Sequence, residues 1–511
     1  MRALIVVPIV LGAVTTTASS ACPPACETLK QRVNGTFTCD VTSYDYSWGN
    51  KICQGILPIC VLRPEGARDI AEAVKVSRDT KVALSYRSGG HSYTCNSIKE
   101  GSIHIDLRSL DSVSVHPSKT AGFNGTEISF GTGLVMRQLI DALGPRQSIV
   151  HGQCPTVGAG GLFLHGGLHT TLSLDYGRGN DTVTSMEVVT ADGSVLELND
   201  TSAHRELWVA MRQAGSSFAI ATRITAKVID DLPPNRVPSD GGMFFALDTP
   251  REQLLALMDN ASHERPGLPN YIHVNGIDFL IASASHKYDE NAAWVEAALG
   301  RKLTLKESMR SRMVAALQQP VSDDAGADKK FGSSGAVPYI FSTQEAYADV
   351  SFIMPLECYQ LPKMRTLLAA VPDFRDNSTD LGCYFQVSTT YAEGLAFIDY
   401  NCPYDSPAYQ HRQRTLNSRV MQLCPVGIRR YINTPSVFLT PRDYFANYDE
   451  LAAIKSTYDP DEIFRVYQGI RPTGLAPDAY EWKREGYVRT KTAKDKLGEL
   501  GWDALKKFHI L

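Results

Sequence analysis

The chain has 511 residues, 43% of them hydrophobic and 21% charged, with a formal net charge of -4. This is the composition of a globular protein long enough for two or three domains, and it lacks the basic excess with which a nucleic-acid binder meets phosphates. Beyond the N-terminus no stretch stays apolar for the roughly eighteen residues that a membrane span needs.

Arg2 precedes an apolar run from Ala3 to Val14 and small polar residues up to Ala21. This is the layout of a secretory signal peptide (1–21), too short to span a bilayer comfortably. Cleavage there and a product secreted or held in the lumen of the secretory pathway are expected, with a retained signal anchor as the alternative. The 11 cysteines suit an oxidising compartment. Cys22, Cys26, Cys39, Cys53 and Cys60 crowd the mature N-terminus. Residues 22–55 therefore read as a disulfide-tied, aromatic segment, with Cys53 and Cys60 near enough to close a small loop. Asn34, Asn124, Asn180, Asn199, Asn260 and Asn377 head N-glycosylation sequons; Asn180 is expected to be buried and unmodified.

From residue 56 to 230 the texture is mixed α/β. Ile70, Ala73 and Val74 recur at helical spacing within 67–77. Residues 82–86 form an apolar strand, 103–107 alternate with period two, and 128–131 are a further strand. A helix over 134–143 is stopped by Gly144-Pro145. Residues 186–190 and 194–198 flank Ala191-Asp192-Gly193, a tight hairpin turn. A helix over 206–212 and a strand over 219–229 follow. Proline and polar residues from 230 to 240 mark a boundary. Residues 231–430 alternate strands and helices, with helix candidates at 251–260 and 292–299 and a surface loop at 325–335. The tail 471–511 carries an amphipathic pattern at 494–508, read as a docked or frayed terminal helix.

Two stretches carry the chemistry. Arg87-Ser88-Gly89-Gly90-His91-Ser92 follows the strand at 82–86. Its paired glycines let backbone approach a bulky ligand, and its histidine projects into whatever the turn holds; alone, it also fits a plain strand-to-loop corner. Downstream, His151-Gly152-Gln153-Cys154-Pro155-Thr156-Val157-Gly158-Ala159-Gly160-Gly161 can line up backbone N–H groups as an anion cradle. Its glycine spacing is not the strand–GxGxxG–helix fingerprint, which disfavours a nicotinamide Rossmann site.

Together with Tyr176-Gly177, Asp181-Thr182-Val183, Asn447-Tyr448 through Lys455, Tyr458-Asp459-Pro460, Phe464 and Gln468, these stretches resemble the berberine bridge enzyme family of flavin oxidases, within the vanillyl-alcohol oxidase superfamily. The resemblance implies an α+β fold: a two-lobed PCMH-type FAD-binding domain (56–230), an α+β substrate-binding domain (231–430), a return to the flavin domain (431–470) and a C-terminal extension (471–511). It implies FAD held by Arg87, Ser88, Gly89, Gly90, His91, Ser92, Cys154, Thr156, Val157, Gly158, Gly160, Gly161, Asp181 and Asn433. His91 would be attached to the 8α-methyl of the ring and Cys154 to its C6. Cys154 as a flavin anchor leaves ten of the 11 cysteines for disulfides; a disulfide partner is its other reading.

Taking a hydride from a C–H bond needs a nearby base for the hydroxyl or amine proton. Tyr431-Ile432-Asn433 stands where the family has a Tyr-x-Asn motif facing the flavin. Tyr431, as a phenol of lowered pKa, is the candidate base; the alternative is a core tyrosine with a satisfied hydroxyl. Strand alternation puts Tyr384, Gln386 and Ser388 on one face, a second candidate set, and Tyr93 follows the histidine corner. The block His165-Gly166-Gly167-Leu168-His169 departs from the family pattern, and the arginine usual just before Tyr176-Gly177 is replaced around Leu174-Asp175. A metal site from His165, His169 and Asp175 is not expected, because His at i, i+4 alone is common. The departures turn the expected substrate from a standard carbohydrate toward a small specialised metabolite, oxidised with O2 reduced to H2O2. A secreted sugar or oligosaccharide oxidase is the alternative; in another class, so is a flavin-fold cyclase or a binding protein without redox turnover.

Overall fold

The computed structural model describes residues 22–230 apart from 45–47, 49, 51, 52, 54, 153–155 and 169–171, separate segments between 242 and 308, and residues 347–476 apart from 372–383, 389–394, 404–406 and 437. Three sheets organise these residues. In the first, β2 (Cys60–Arg63), β3 (Leu84–Arg87) and β4 (Ile103–Asp106) run parallel, and β1 (Thr36–Thr38) pairs antiparallel with β2. The helix Ala67–Thr80 makes the crossover from β2 to β3, burying Ile70, Ala73 and Val74, the apolar positions that predicted it. Lys81, at φ 59°, ends it in the left-handed conformation.

The second sheet is antiparallel, in the order β5 (Val113–Pro117), β6 (Thr126–Gly131), β9 (Ile220–Lys227), β7 (Val183–Val189), β8 (Val195–Asn199). β7 and β8 are the hairpin expected from Asp192-Gly193. The helices Ala159–Leu164, Arg205–Ala214 and Tyr448–Tyr458 cover one face, with Phe130, Phe163, Trp208, Met211 and Leu451 in the shared core. The glycine run was expected as a cradle; its second half is the first turn of the helix Ala159–Leu164.

The third sheet has seven strands, in the order β13 (Thr304–Ser308), β10 (Gly242–Phe245), β12 (Asp278–Ser283), β11 (Asn270–Val274), β15 (Tyr384–Ser388), β16 (Leu395–Pro403), β14 (Tyr347–Pro355). Val350, Phe352 and Met354 on β14, with Ala396, Ile398 and Tyr400 on β16, pack against Tyr359, Met364, Leu367, Leu416 and Val420 from three helices. The alternate positions, Ser351, Ile353 and Phe397, turn to the other face. There the segment 429–434 is bonded to β14: Ile353 and Arg429 exchange backbone hydrogen bonds at 2.8 Å, and Thr434 Oγ1 donates to Ser351 Oγ at 2.8 Å.

The C-terminal return is pinned by a buried ion pair. Lys455, in the last turn of the helix Tyr448–Tyr458, and Asp459, which caps its C-terminus, are both fully buried. Lys455 Nζ also donates to the carbonyls of Ser217 and Phe464, and Asp459 accepts from the amides of Ile463 and Phe464 at 2.8 and 2.9 Å. Every charge is thus matched, the condition under which burial of a pair is tolerable.

Four disulfides join Cys22 to Cys39, Cys26 to Cys60, Cys53 to Cys95 and Cys358 to Cys424. The small loop expected between Cys53 and Cys60 does not form, because Cys60 opens β2 and faces Cys26 beneath it. The segment 22–55 accordingly belongs to the first sheet, contributing β1 and a helix, Pro24–Lys30, on the crossover helix. Asn180, expected to be buried and unmodified, is half-buried, and its Nδ2 donates to Arg212 O at 2.6 Å. The helix expected at 494–508 and the loop at 325–335 lie outside the described residues. Replacing Lys455 with Met leaves Asp459 buried and unpaired; a chemical melt should show a loss of about 3–5 kcal/mol, and an unchanged midpoint would refute the pin.

Candidate active site

β3 ends at Arg87 and runs directly into the glycine corner, so the corner sits at the carboxyl end of a parallel strand, where open α/β sheets bind ligands. Its backbone lies against the second glycine stretch. A Cβ on Gly89 would stand 2.4 Å from Gly158 N, and one on Gly158 would stand 2.1 Å from Gly89 N. Neither position can carry a side chain, so the two loops meet main chain to main chain. Ser88 Oγ donates to Thr132 O at 2.6 Å, and a Cβ on Gly160 would press on Thr132 at 3.2 Å. Val157 packs on the second core and its carbonyl accepts from Met136 N at 3.0 Å. Gly161, by contrast, is exposed, with open space where a Cβ would be. Among the described residues no backbone acceptor takes the N–H of Gly160 or Gly161. A main-chain cradle open on one side fits a pyrophosphate-bearing cofactor such as FAD.

The contact brings His91 to Thr156: His91 Nε2 and Thr156 Oγ1 share a hydrogen bond at 2.8 Å. Burial pushes the His91 imidazole down to about 4, so it is neutral at physiological pH. Gly90 bridges Gly89 and His91 with φ 77°. The loop after His91 is tied from both sides. Ser92 Oγ accepts from Asn96 N at 3.0 Å, Cys95 is bonded to Cys53, and Asn50 Nδ2 donates to Tyr93 O at 2.7 Å. From the C-terminal return, Tyr467 N donates to Asn96 Oδ1 at 2.8 Å while Asn96 Nδ2 donates to Tyr467 O at 3.0 Å. Cys154 lies outside the described residues, two positions before Thr156.

Arg87 turns inward. Its guanidinium lies 4.6 Å from the Trp48 ring and 5.6 Å from the Tyr44 ring, above a buried polar core. Asp106 there accepts from Arg63 at 3.0 Å and Arg108 at 2.7 Å. Burial pushes the Asp106 carboxyl up, but Arg108, Arg87 and Arg63 together hold it well below the usual carboxylate range. His104 is fully buried beside them, sharing hydrogen bonds with Ser85 at 2.9 Å and Tyr44 at 3.3 Å. Only the backbone of Arg87 thus adjoins the glycine corner.

Tyr431 sits where the two halves of the chain meet. Its ring meets Phe397 of β16 edge-on, with centroids 6.2 Å apart. Its hydroxyl accepts from three donors: Gly167 N and Leu168 N, each at 3.2 Å, and Asn433 Nδ2 at 3.0 Å. The turn that aims those amides needs glycine: Gly166 and Gly167 take φ 125° and 87°, and a Cβ on Gly166 would meet the Tyr431 ring at 3.1 Å. Asn433, expected to hold cofactor, therefore has the Tyr431 hydroxyl as its partner. The lowered pKa expected for Tyr431 is not what the surroundings produce. Burial pushes the phenol up, and the three donors and the charge of Arg178 only partly offset it.

Tyr384 and Gln386 lie in β15, in register with Asn401 and Asp399, while Ser388, at the other end of the strand, pairs with Phe397. Of this set, Ser388 is the one whose strand partner touches Tyr431. Asp181 accepts from Arg178 N at 2.9 Å and so shapes the turn after Tyr176-Gly177. His165 spends both ring nitrogens on backbone, Nδ1 donating to Gly161 O at 3.0 Å and Nε2 accepting from Ser216 N at 3.4 Å. His169 lies outside the described residues, among which no group of three metal-ligating side chains gathers. Sequence reasoning missed Thr132, Asn96 and Arg178; only the Asp181 motif close by signals the last.

Comparison with known proteins defines the class. Residues 58–199 match the FAD binding domain family, and residues 430–471 match the berberine and berberine-like family. The chain thus carries an FAD binding domain and, near its C-terminal end, a berberine-like segment. An FAD-linked oxidoreductase, easE, of Arthroderma otae is 32% identical over 205 residues, 38% of this chain and 33% of that one. The matched stretch covers about a third of the length of such relatives. The VAO-type flavoprotein oxidase VAO615 of Thermothelomyces thermophilus is 24% identical over 82% of this chain and 77% of its own. In fold, a xylooligosaccharide oxidase from Myceliophthora thermophila superposes on 89% of this chain and all of its own with a TM-score of 0.67 at 18% identity. The expected α+β fold, a two-lobed domain joined to a second α+β domain, is therefore the observed one.

Two measurements test the electrostatics and the phenol. Burial drives His104 down to about 3, whereas unfolded histidine takes up its proton near pH 6.5. Between those values the unfolded state binds more protons, so stability falls as the pH falls. Chemical melts should show this loss from pH 7 to pH 4, and His104→Gln should flatten the slope by about one proton per chain; a parallel slope would contradict it. Tyr431→Phe should keep bound flavin yet slow its reduction by substrate at least about tenfold, the scale of a lost acid–base group. Unchanged reduction in stopped flow would remove Tyr431 from the chemistry.

Proposed function

We propose that this protein is an FAD oxidase acting on a small organic, specialised-metabolite substrate in the secretory lumen or outside the cell. The observation that carries the reading is the convergence of three backbone-lined parts: the open Gly160-Gly161 cradle, the neutral His91 at its edge, and the Tyr431 hydroxyl held between the FAD binding domain and the seven-stranded sheet. Four disulfides support an oxidising compartment, and no helix among the described residues is long and apolar enough to cross a membrane.

In this reading Ser88–Ser92 and Thr156–Gly161 hold the cofactor through main-chain groups. Bound there, FAD supplies a two-electron acceptor for the substrate hydride that O2 can reoxidise, giving H2O2. His91 and Cys154 are its two covalent anchors. An imidazole must be neutral to act as a nucleophile, and the burial of His91 keeps it so. Two anchors would leave the space over the ring free for a bulky substrate. Tyr431 acts as the base after giving up its own proton to solvent: ringed by two amides and the Asn433 side chain, its oxygen is stabilised as the phenolate that then takes the substrate's proton.

The relatives' names favour two substrate classes. FAD-linked oxidoreductases of fungi lead among the sequence matches, and oligosaccharide oxidases share the fold over nearly the whole chain. The departure at His165-Gly166-Gly167-Leu168-His169, the turn that holds Tyr431, favours the first.

Acid precipitation of the purified protein tests the cofactor. Yellow colour should stay with the wild-type pellet and with His91→Ala or Cys154→Ala alone, and leave with the double variant. Flavin in the wild-type supernatant would refute both anchors. An oxygen electrode then separates oxidase from cyclase, since only the former consumes O2; H2O2 from a sugar panel and none from phenolic or alkaloid-like compounds would reverse the order of substrates.

A further inference from the structure

We propose that Arg178 is a positioning residue for the phenol of Tyr431: its guanidinium supplies the positive charge that favours the phenolate at this site. The placement begins in the backbone. Arg178 follows Tyr176-Gly177, and its N–H is fixed by Asp181 Oδ2 at 2.9 Å. The next two amides, Gly179 and Asn180, donate to Gly167 O and Gly166 O, each at 2.7 Å. The amides of Gly167 and Leu168 face the opposite way and donate to the Tyr431 hydroxyl. The loop that carries Arg178 is therefore the outer support of the turn that cradles the phenol.

The side chain is half-buried, yet its guanidinium makes no hydrogen bond or ion pair with any described residue. Charges withdrawn from water ordinarily find an opposite charge. Most of the other charged and titratable groups on the segments packed round Tyr431 are engaged elsewhere. Asp181 is held by the Arg178 amide. His165 spends both ring nitrogens on backbone. Arg430 reaches away to Ser351 O at 2.8 Å and Asn417 Oδ1 at 2.6 Å. β16 presents the apolar Phe397 to the ring, with Asp399 two positions further along the same face, in register with Ser351. Of the charged groups, Arg178 acts on the phenol most strongly, and in the favourable sense.

Donor count points the same way. Three donors on one phenol oxygen exceed the two lone pairs that a neutral hydroxyl offers, whereas a phenolate offers three. The resting phenol is kept protonated by burial, while three dipoles and one cation without a partner among the described residues are arranged for its anion. The counter-charge that no described residue gives Arg178 is the one that Tyr431 carries once its proton leaves.

The inference rests on Tyr431 as the proton acceptor for its consequence in turnover, but its test needs no substrate. Difluorotyrosine is placed at position 431 of the flavin-bearing protein, its fluorines lowering the phenol's own pKa into the range where the chain is folded, and the ionisation is followed by fluorine NMR. Arg178→Gln should move the midpoint upward by at least about one pH unit, a tenfold change in the proton equilibrium, and Arg178→Lys should restore most of it. Arg178→Met serves as a second neutral variant with the same expectation. An unmoved midpoint in the neutral variants would overturn the proposal and leave the guanidinium to an anionic group of a ligand. If the midpoint moves while Tyr431→Phe reduces its flavin at the normal rate, the charge coupling stands and the catalytic reading of Tyr431 falls.

Discussion

The site depends on one close approach, that of Gly89 to Gly158. A single methyl on either would overlap the other's main chain, so the two loops stay together only while both lack a side chain. One loop ends a parallel strand of the first sheet; the other leads into the helix Ala159–Leu164, which packs on the second sheet. Their contact joins the two sheets of the FAD binding domain, brings His91 to Thr156, and leaves Gly161 facing outward. Close packing transmits such a constraint: Ser88, Thr132 and Gly160 interlock around it.

Around this contact, burial sets the charge states. His91 and His104 are held neutral, and Tyr431 is held protonated, because a low-dielectric interior disfavours the ion. Two of the buried ions are matched by opposite charge. Asp106 has its arginines, and Lys455 has Asp459 and two carbonyls. Arg178 departs from this pattern, which ties it to the phenol beside the glycine turn.

The seven-stranded sheet contributes through alternation. On β14 and β16 one set of side chains builds the core under the helices, and the other set faces the segment 429–434. Tyr431 is held from three directions: by β14 through its neighbours, by Phe397 of β16, and by the Gly166-Gly167 turn of the FAD binding domain. A shift of either domain would therefore be felt at its hydroxyl. The tether at Asn96 and Tyr467 does the same for the loop bearing His91, tying it to the C-terminal return.

Elements whose signals are local were legible in the chain. The apolar spacing of Ile70, Ala73 and Val74 specified the crossover helix, Asp192-Gly193 specified the hairpin, and the two glycine motifs with the Tyr-x-Asn segment resembled a flavoprotein family before any coordinates. What remained hidden depends on residues far apart in sequence. The partner of Cys53 is Cys95 and not the nearer Cys60, because strand order and not spacing decides which sulfurs face each other. Arg87 and Asn433 sit inside the right motifs, but side-chain direction put one on Trp48 and the other on Tyr431. The acidity of Tyr431 could not be read at all, since it is set by burial and by donors 263 and 264 positions away. By itself the sequence determined the local elements and the class of chemistry, because those depend on neighbouring residues. Which groups meet, and in what charge state, was decided by the tertiary structure, because desolvation and hydrogen bonding act through space.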